Sequence, residues 1–396
     1  MSDWTETAPG ANAPQDGRPS SRSMASLNAF RVRYRLWRNR LIGSAKFRSK
    51  IARFPGTRWI AQKKSNDLFK LINGFVFSQV LSSCVSLGVL ARLTDTVAST
   101  EALAKSCGLE PGRMQLLLEQ AERLQLVKIV EGNSWVLDDA GAVVAADPGL
   151  QAMIRHHALF YRDLADPSAL LKAPSQDTEL KKYWAYAHAQ DPAIIGTDVT
   201  QPYSELMRSS QAMLADCILT AHDFSQYTAV LDVGGGEGAF LAAIGKACPG
   251  TRLHLFDLPS VTNLAKKHLA RENLADRAEF HGGDFAKDLI PDNAGCVSLV
   301  RILCDHDDGR VEQILANLHR SLKPGTKVMI AEAMAGNSEG AELAAVYFSL
   351  YFLAMGSGRC RSDAAIKNLL LAAGFKNPHT KPTPNPLLAT LVFAER

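Results

Sequence analysis

The sequence predicts an α/β fold preceded by a mainly helical unit, and three observations predict it. From residue 229 onward, apolar runs suited to strands alternate with helical runs, near 229–233, 252–257, 278–283, 296–303 and 327–332. That alternation is the pattern of a parallel sheet covered by helices on both faces. The first strand ends in a glycine loop, Ala229-Val230-Leu231-Asp232-Val233-Gly234-Gly235-Gly236-Glu237-Gly238, and opens into a helical run. Acids then recur at strand ends, at Asp257, Asp284 and Glu332, the side of an open α/β sheet where ligands bind.

A chain of 396 residues suggests two domains plus extensions, and 46% hydrophobic residues allow a sizeable core. The net charge of +4 excludes a polyanion binder acting through the whole surface. Seven cysteines, at 84, 107, 217, 248, 296, 304 and 360, form no C-x-x-C pair and no metal spacing. A reducing cytoplasm without disulfides is therefore expected, and no metal. No apolar signal core stands near the N-terminus, so secretion is not expected.

Residues 1–28, rich in Ser, Pro, Gly, Ala and Asn, read as a disordered tail. Residues 29–69 read as a basic amphipathic arm: twelve Lys or Arg from Arg31 to Lys64 meet no acid before Asp67. Tyr34, Leu36, Trp37, Leu41, Ile42, Phe47 and Trp59 are interleaved with them. This suits peripheral contact with an anionic membrane; a solvated helix packed on its own domain is the competing reading, and nucleic acid has no support elsewhere in the chain. Leu71 to Ala91 carries no charge and is long enough to span a bilayer. Asn73, Gln79, Ser82, Ser83 and Ser86 make it too polar, Gly74 and Gly88 weaken it as a helix, and buried core is expected instead.

Within residues 70–150 the pattern is that of a winged helix. Ser99 or Thr100 caps a first helix with Leu103 and Ala104, and Pro111 opens a second with Met114, Leu116, Leu117, Ala121 and Leu124. Val127–Val130 and Ser134–Leu137 form the wing hairpin, with Gly132-Asn133 at its tip. Winged helices often bind DNA. Here Glu119 and Glu122 offset Arg113 and Arg123 on the presumed recognition helix, a poor balance for phosphate contact, so no nucleic-acid partner is expected. Residues 151–225 read as connecting helices dense in aromatic and Met side chains, Tyr186, Tyr203 and Met207 among them, which together could wall an apolar pocket. His156 and His157 are candidates for a polar contact there, and His156, Tyr161 and Met213 are the candidate substrate contacts. Residues 226–396 form the sheet domain, and the chain ends in a hairpin whose last strand is Leu388 to Ala394.

The glycine loop points to a nucleotide-like cofactor. Gly234, Gly236 and Gly238 allow close approach of a ligand, Asp232 can organise the loop, and Asp257 can take both ribose hydroxyls. Asp284 can meet an adenine amino group while Phe285 covers the ring. Glu237 within the loop is a poor neighbour for pyrophosphate, which favours S-adenosylmethionine over a dinucleotide; glycine spacing alone leaves both open. The ordered set D-V-G-G-G-E-G, F-D-L-P, G-G-D-F and L-K-P-G-T-K-V-M-I-A-E resembles the small-molecule O-methyltransferases with an N-terminal winged-helix domain. The resemblance runs from about residue 70 to the C-terminus. It implies a Rossmann-like, seven-stranded class I methyltransferase sheet with an antiparallel last strand, a homodimer built through residues 70–150, and S-adenosyl-L-methionine as cofactor. It also extends the cofactor contacts to Leu258 and Arg301.

The acceptor side is less regular. Many relatives carry H-D-W-x-D after the fourth strand, with the His as base; this chain has Cys304-Asp305-His306-Asp307-Asp308. Cys304 takes the His position and His306 the Trp position. His306 is the candidate base, with Asp305 or Asp308 fixing its tautomer; Cys304, or no side chain at all, are the alternatives, and capping of the next helix by Asp305 and His306 is the structural one. Glu332 matches the family acid that orients the His. The apolar run from Leu343 to Met355, with Tyr351 as a substrate contact, argues for a large apolar acceptor. The whole is most similar to the carotenoid-type enzymes of purple bacteria, which methylate the tertiary hydroxyl of hydroxyneurosporene or demethylspheroidene. Aromatic, polyketide or bacteriochlorophyll-type acceptors form the second reading, and a non-catalytic winged-helix regulator that senses the cofactor the third. The expected location is the cytoplasm, with peripheral contact on the inner or photosynthetic membrane.

Overall fold

Strand β4 (Ala229–Val233) is buried along its whole length, and the sheet is built outward from it. Three short strands precede it: β1 (Ala98–Ser99), β2 (Val127–Val130) and β3 (Ser134–Leu137). Six follow: β5 (Arg252–Asp257), β6 (Ala278–Gly282), β7 (Cys296–Val300), β8 (Lys327–Glu332), β9 (Lys376–Lys381) and β10 (Thr390–Glu395). The large sheet has seven strands in the order β6-β5-β4-β7-β8-β10-β9. Five pair in parallel, and β10 lies antiparallel between β8 and β9. The structure is a computed structural model and describes residues 21–172, 177–187 and 210–396, without the side chains of 21–27 and 185–187. Most of the expected tail, and Tyr203, Met207 and the Tyr186 side chain, lie outside the described residues.

Alternation along β4 explains why both faces are covered. Val230 packs with Leu241, Ile244 and Leu269 on one side; Leu231 and Val233 pack with Ile314, Leu318 and Ile366 on the other. Leu231→Ala would leave a cavity in a fully enclosed layer and cost about 2–5 kcal/mol. Strand β7 ends three residues earlier than expected because Arg301 adopts φ +56°, a left-handed conformation that turns the chain out of the sheet.

Three helices lead the chain: α1 (Ser21–Gly43), α2 (Ala45–Arg53) and α3 (Arg58–Ser86). Helix α1 begins inside the stretch expected to be a disordered tail. Phe30, Tyr34, Trp37 and Leu41 fall at i, i+4, i+7 and i+11, one face of α1, with Arg31, Arg35 and Arg38 on one flank and Arg33 and Arg40 on the other. Val32 and Leu36 stand opposite, so the helix is not cleanly two-faced. All of these except Leu41 are exposed, Trp37 to 58%. Helix α3 runs straight through Gly74 and ends before Gly88, whose φ of +69° breaks it. Buried core was expected for Leu71 to Ala91; only its second half is buried. Cys84, Val85, Val89 and Leu90 are enclosed, whereas Leu71 is 81% and Phe75 69% exposed in the single chain. By length and composition alone, α3 is apolar enough to cross a membrane.

The winged-helix pattern appears in α4 (Thr100–Cys107), α5 (Pro111–Arg123) and a small sheet of order β1-β3-β2. Ser99, not Thr100, caps α4: its Oγ accepts the Ala102 N–H at 3.2 Å. Thr100 instead joins a buried chain, accepting the Trp135 Nε1–H at 3.0 Å and donating to Gln115 Oε1 at 2.8 Å. The chain divides into two compact units, Met1–Gln79 and Val80–Arg396.

Candidate active site

The glycine loop is held in shape by Asp257. Its Oδ2 accepts the Gly236 N–H at 2.9 Å and its Oδ1 the Leu258 N–H at 2.7 Å. Burial pushes the Asp257 carboxyl up from the ordinary carboxylate range, and those two N–H bonds pull against that. Gly236 adopts φ +56°, and a Cβ built there meets nothing within 4 Å, so the loop presents an open concavity beside the Asp257 strand tip. Gly234 and Gly238 are packing glycines in addition: a Cβ would come within 2.4 Å of Ile302 and 2.5 Å of Leu269 respectively. Asp232 is buried beneath the loop, with its Oδ2 only 2.7 Å from where a Cβ on Gly235 would stand. It is 1% exposed and accepts the Ser298 hydroxyl at 2.6 Å, with burial pushing its carboxyl up to about 7. Its partner is thus a neighbouring strand rather than the loop amides.

At the tip of β6, Asp284 is gripped by Arg310, whose Nη2 donates to both carboxylate oxygens at 3.1 and 3.3 Å. Burial raises this carboxyl, but the Ala286 N–H and Arg310 outweigh it and hold it below the usual range. The expected adenine partner is therefore already engaged by a cation. Phe285 lies 3.5 Å from the Cβ position of Gly234, and its ring centroid is 5.9 Å from that of His306.

A second concavity opens beyond the end of β7, walled in part by α6 (Pro148–Asp163), α7 (Glu179–Ala187) and, after β8, the apolar helix Glu339–Met355, together with Ser210, Met213 and Leu214 of the helical run 210–221. Its volume is about 100 Å³. Two His–Tyr pairs build its wall: His156 Nε2 lies 2.7 Å from Tyr351 Oη and His157 Nε2 2.9 Å from Tyr347 Oη. Trp184 Nε1–H donates to Tyr351 Oη at 2.9 Å. Burial lowers His156 to about 4, with a smaller contribution from His157, and keeps both tyrosine hydroxyls protonated. With His156 neutral, Tyr351 satisfies all three groups by accepting from Trp184 and donating to Nε2. Arg301 and Asp305 are the only Lys, Arg, Asp or Glu among the described lining residues.

Residues 170–376 match the O-methyltransferase domain profile. The demethylspheroidene O-methyltransferase of Cereibacter sphaeroides is 39% identical over 383 residues, 96% of this chain and 98% of that one. The chain belongs to the O-methyltransferase family. The demethylspheroidene O-methyltransferase of Rhodobacter capsulatus is also 39% identical, over 87% of this chain and 85% of its own. The crystal structure of human N-acetylserotonin methyltransferase in complex with SAM shares the fold, with a TM-score of 0.68 at 24% identity over 84% of this chain and 97% of that one.

This methyltransferase takes its methyl group from S-adenosylmethionine, and the loop concavity, the Asp257 tip and the aromatic edge at Phe285 fit such a molecule. Bound there, the sulfonium supplies an activated methyl group for in-line displacement. The protein's own work is alignment, exclusion of water and handling of the acceptor's proton.

Several expected roles change in the methyltransferase's structure. His306 is not among the described lining residues of this cavity; its ring stands against Phe285. The Asp308 carboxylate, the other acid expected to orient it, is engaged by Arg359 at 2.8 Å and Arg361 at 2.7 Å. The next helix, Asp308–Ser321, is capped by Asp307, which accepts the Arg310 N–H at 3.0 Å, rather than by Asp305 or His306. Asp305 and Cys304 do line the cavity, yet burial drives the Cys304 thiol well above its ordinary range. Glu332 is fully buried with its carboxyl raised by burial to about 7. Its Oε2 accepts the Cys304 backbone N–H at 3.0 Å, which replaces the imidazole it would orient elsewhere in the family. Arg301, expected as a cofactor contact, lies in the cavity wall, 3.5 Å from Ser210 Oγ. His156, Met213 and Tyr351 line the cavity as expected; Tyr161 does not, standing behind His157 with ring centroids 6.2 Å apart.

Residues not singled out in the sequence complete the site. Tyr347 shares a face with Tyr351 one helical turn away, and the neighbouring His156 and His157 reach those two hydroxyls. Arg361, 3% exposed, donates to the carbonyls of Leu303 and His306 as well as to Asp308, and so pins the turn that carries Cys304 and Asp305.

Proposed function

We propose that the enzyme methylates the tertiary hydroxyl of an acyclic carotenoid of the hydroxyneurosporene or demethylspheroidene type, in carotenoid biosynthesis. The observation that carries this is the acceptor cavity: aromatic, backed by two buried His–Tyr pairs, with Arg301 and Asp305 the only Lys, Arg, Asp or Glu among its described lining residues. It is far below the roughly 300–1,000 Å³ that enclose a whole drug-sized ligand, which suits the hydroxyl-bearing end of a long apolar chain. Relatives named for demethylspheroidene, at 39% identity, support the same class. Methyl-labelled cofactor offered with hydroxyneurosporene, a phenol and a bacteriochlorophyll precursor tests it. Label in the carotenoid ether is expected; label confined to the phenol or the tetrapyrrole would establish the second acceptor class.

In this reading Asp257 takes the ribose hydroxyls, and Gly234, Gly236 and Gly238 give the cofactor room. Leu258 and Phe285 flank its adenine, with Asp284 nearby. Asp305 receives the acceptor's proton, and Arg301 faces the oxygen. Glu332 acts by positioning the Cys304–Asp305 turn.

A homodimer formed through residues 70–150 is part of the same proposal. Leu71 and Phe75 form part of an apolar face that is costly to leave in water. A chain lacking residues 1–64 should remain dimeric in light scattering at low concentration; a well-behaved monomer would place the interface elsewhere.

The enzyme is proposed to work in the cytoplasm, docked peripherally on the membrane that holds its substrate. The Phe30-Tyr34-Trp37-Leu41 face of α1, flanked by arginines, supports this. Each basic side chain near an anionic bilayer contributes about 1 kcal/mol. The protein should pellet with anionic vesicles and be released by salt. Replacing Arg31, Arg33, Arg35, Arg38 and Arg40 with Gln should weaken that association while turnover in detergent changes little. Unchanged vesicle binding would assign the arm to the protein's own packing.

A further inference from the structure

We propose that His254, Glu279 and His281 form a binding site for a divalent transition cation of the zinc class, clipping β5 to β6. Glu279 is the register partner of His254 across the parallel pair, and His281 lies two residues further along β6, so all three side chains leave the same face of the sheet. One ligand atom from each lies within 4.8 Å of the others. His254 Nδ1 is 3.4 Å and His281 Nε2 3.9 Å from the same Glu279 Oε2. Ligands of a tetrahedral zinc, at about 2.0–2.2 Å from the metal, stand roughly 3.3–3.5 Å apart, so the His254–Glu279 spacing fits, while His281, whose ring stacks on that of His254 at 5° with centroids 6.1 Å apart, must turn and move inward to point at the same ion.

A second observation points the same way. His254 is 2% exposed, yet neither of its ring nitrogens has a hydrogen-bond partner among the described residues, and neither has the Nε2 of His281. The short His254–Glu279 approach is misaligned for a hydrogen bond, and leaving both nitrogens of a buried imidazole unmade is costly. A metal shared by the three side chains removes that cost on one nitrogen of each ring. Arg252 Nη2 takes the other carboxylate oxygen at 3.2 Å and Asn293 Nδ2 approaches Oε2 at 3.5 Å, together fixing the carboxylate. Three protein ligands leave a fourth position for water.

The site lies behind the strand tips that carry Asp257 and lead into Asp284, so the cation acts as a staple between the two strands that present those acids. The set is borderline N/O donors and does not select calcium or magnesium.

The test uses the full-length, tag-free protein, stripped with a chelator and titrated with Zn2+ by calorimetry, alongside thermal unfolding with and without Zn2+. One Zn2+ per chain and a raised Tm are expected. Glu279→Gln and His281→Gln, at half-exposed positions that the fold tolerates, should each weaken binding at least tenfold and abolish the rise in Tm. Co2+ should give visible d–d bands in the wild type and not in the variants. Absence of stoichiometric binding would overturn the proposal. So would binding that survives in both variants but is lost on alkylating the thiols, which would put the metal on cysteine.

Discussion

Asp257→Ala is expected to abolish tight binding of S-adenosylmethionine. Hydrogen bonds to a charged group contribute about 1.5–3 kcal/mol each, so losing both ribose contacts lowers affinity at least a hundredfold. The effect is compounded because the same carboxylate holds the Gly236 and Leu258 N–H groups. Gly236→Val should match it by another route. The side chain would enter open space that the cofactor needs, on a backbone at φ +56° that disfavours a β-branched residue. Calorimetric titration of both variants, with circular dichroism as a check on folding, is the measurement. Folded variants that bind like the wild type would remove the loop and the β5 tip from the cofactor site.

Asp305→Asn should cut turnover about 10²–10⁴-fold, the range for loss of a general base, with cofactor affinity nearly unchanged. His306→Ala should do the reverse, weakening the cofactor modestly through its neighbour Phe285 while methyl transfer persists at saturating cofactor. The pair discriminates between the two sides of one turn. If Asp305→Asn retains turnover, transfer runs on alignment and desolvation alone. If His306→Ala loses turnover with cofactor affinity intact, the imidazole reaches the acceptor when substrate is bound.

The sheet and its ligand edge were legible because they depend on local pattern. Buried parallel strands are written as continuous apolar runs, and a loop with four glycines in five residues before a helix leaves few alternatives. The position of β4, β5 and β8 followed to the residue from such runs. The acceptor side was less legible. Cys304, Asp305 and His306 are consecutive, so which of them meets the acceptor depends on a three-residue turn and on the left-handed Arg301 before it, and neither has a periodic signal. Alignment to the family motif drew attention to His306, whereas the turn presents Asp305 to the cavity. In the same way, Asp284 and Asp308 read as free acids because their partners, Arg310, Arg359 and Arg361, are 26, 51 and 53 residues away in the chain.

By itself the sequence determined the class of fold, the glycine loop, the acid at the β5 tip and the methyltransferase family, since each rests on residue types at short fixed spacings. Tertiary structure alone decided which side chains share a space. The His156–Tyr351 and His157–Tyr347 pairs join residues 195 and 190 positions apart, and Arg361 reaches back 58 residues to pin the Leu303 carbonyl. It also left His306 out of the lining of the cavity that Asp305 enters. The physical reason is that strand and helix periodicity fix the face from which a side chain leaves its own element. The distance to a partner on another element is fixed by how the elements pack, and no local spacing encodes it.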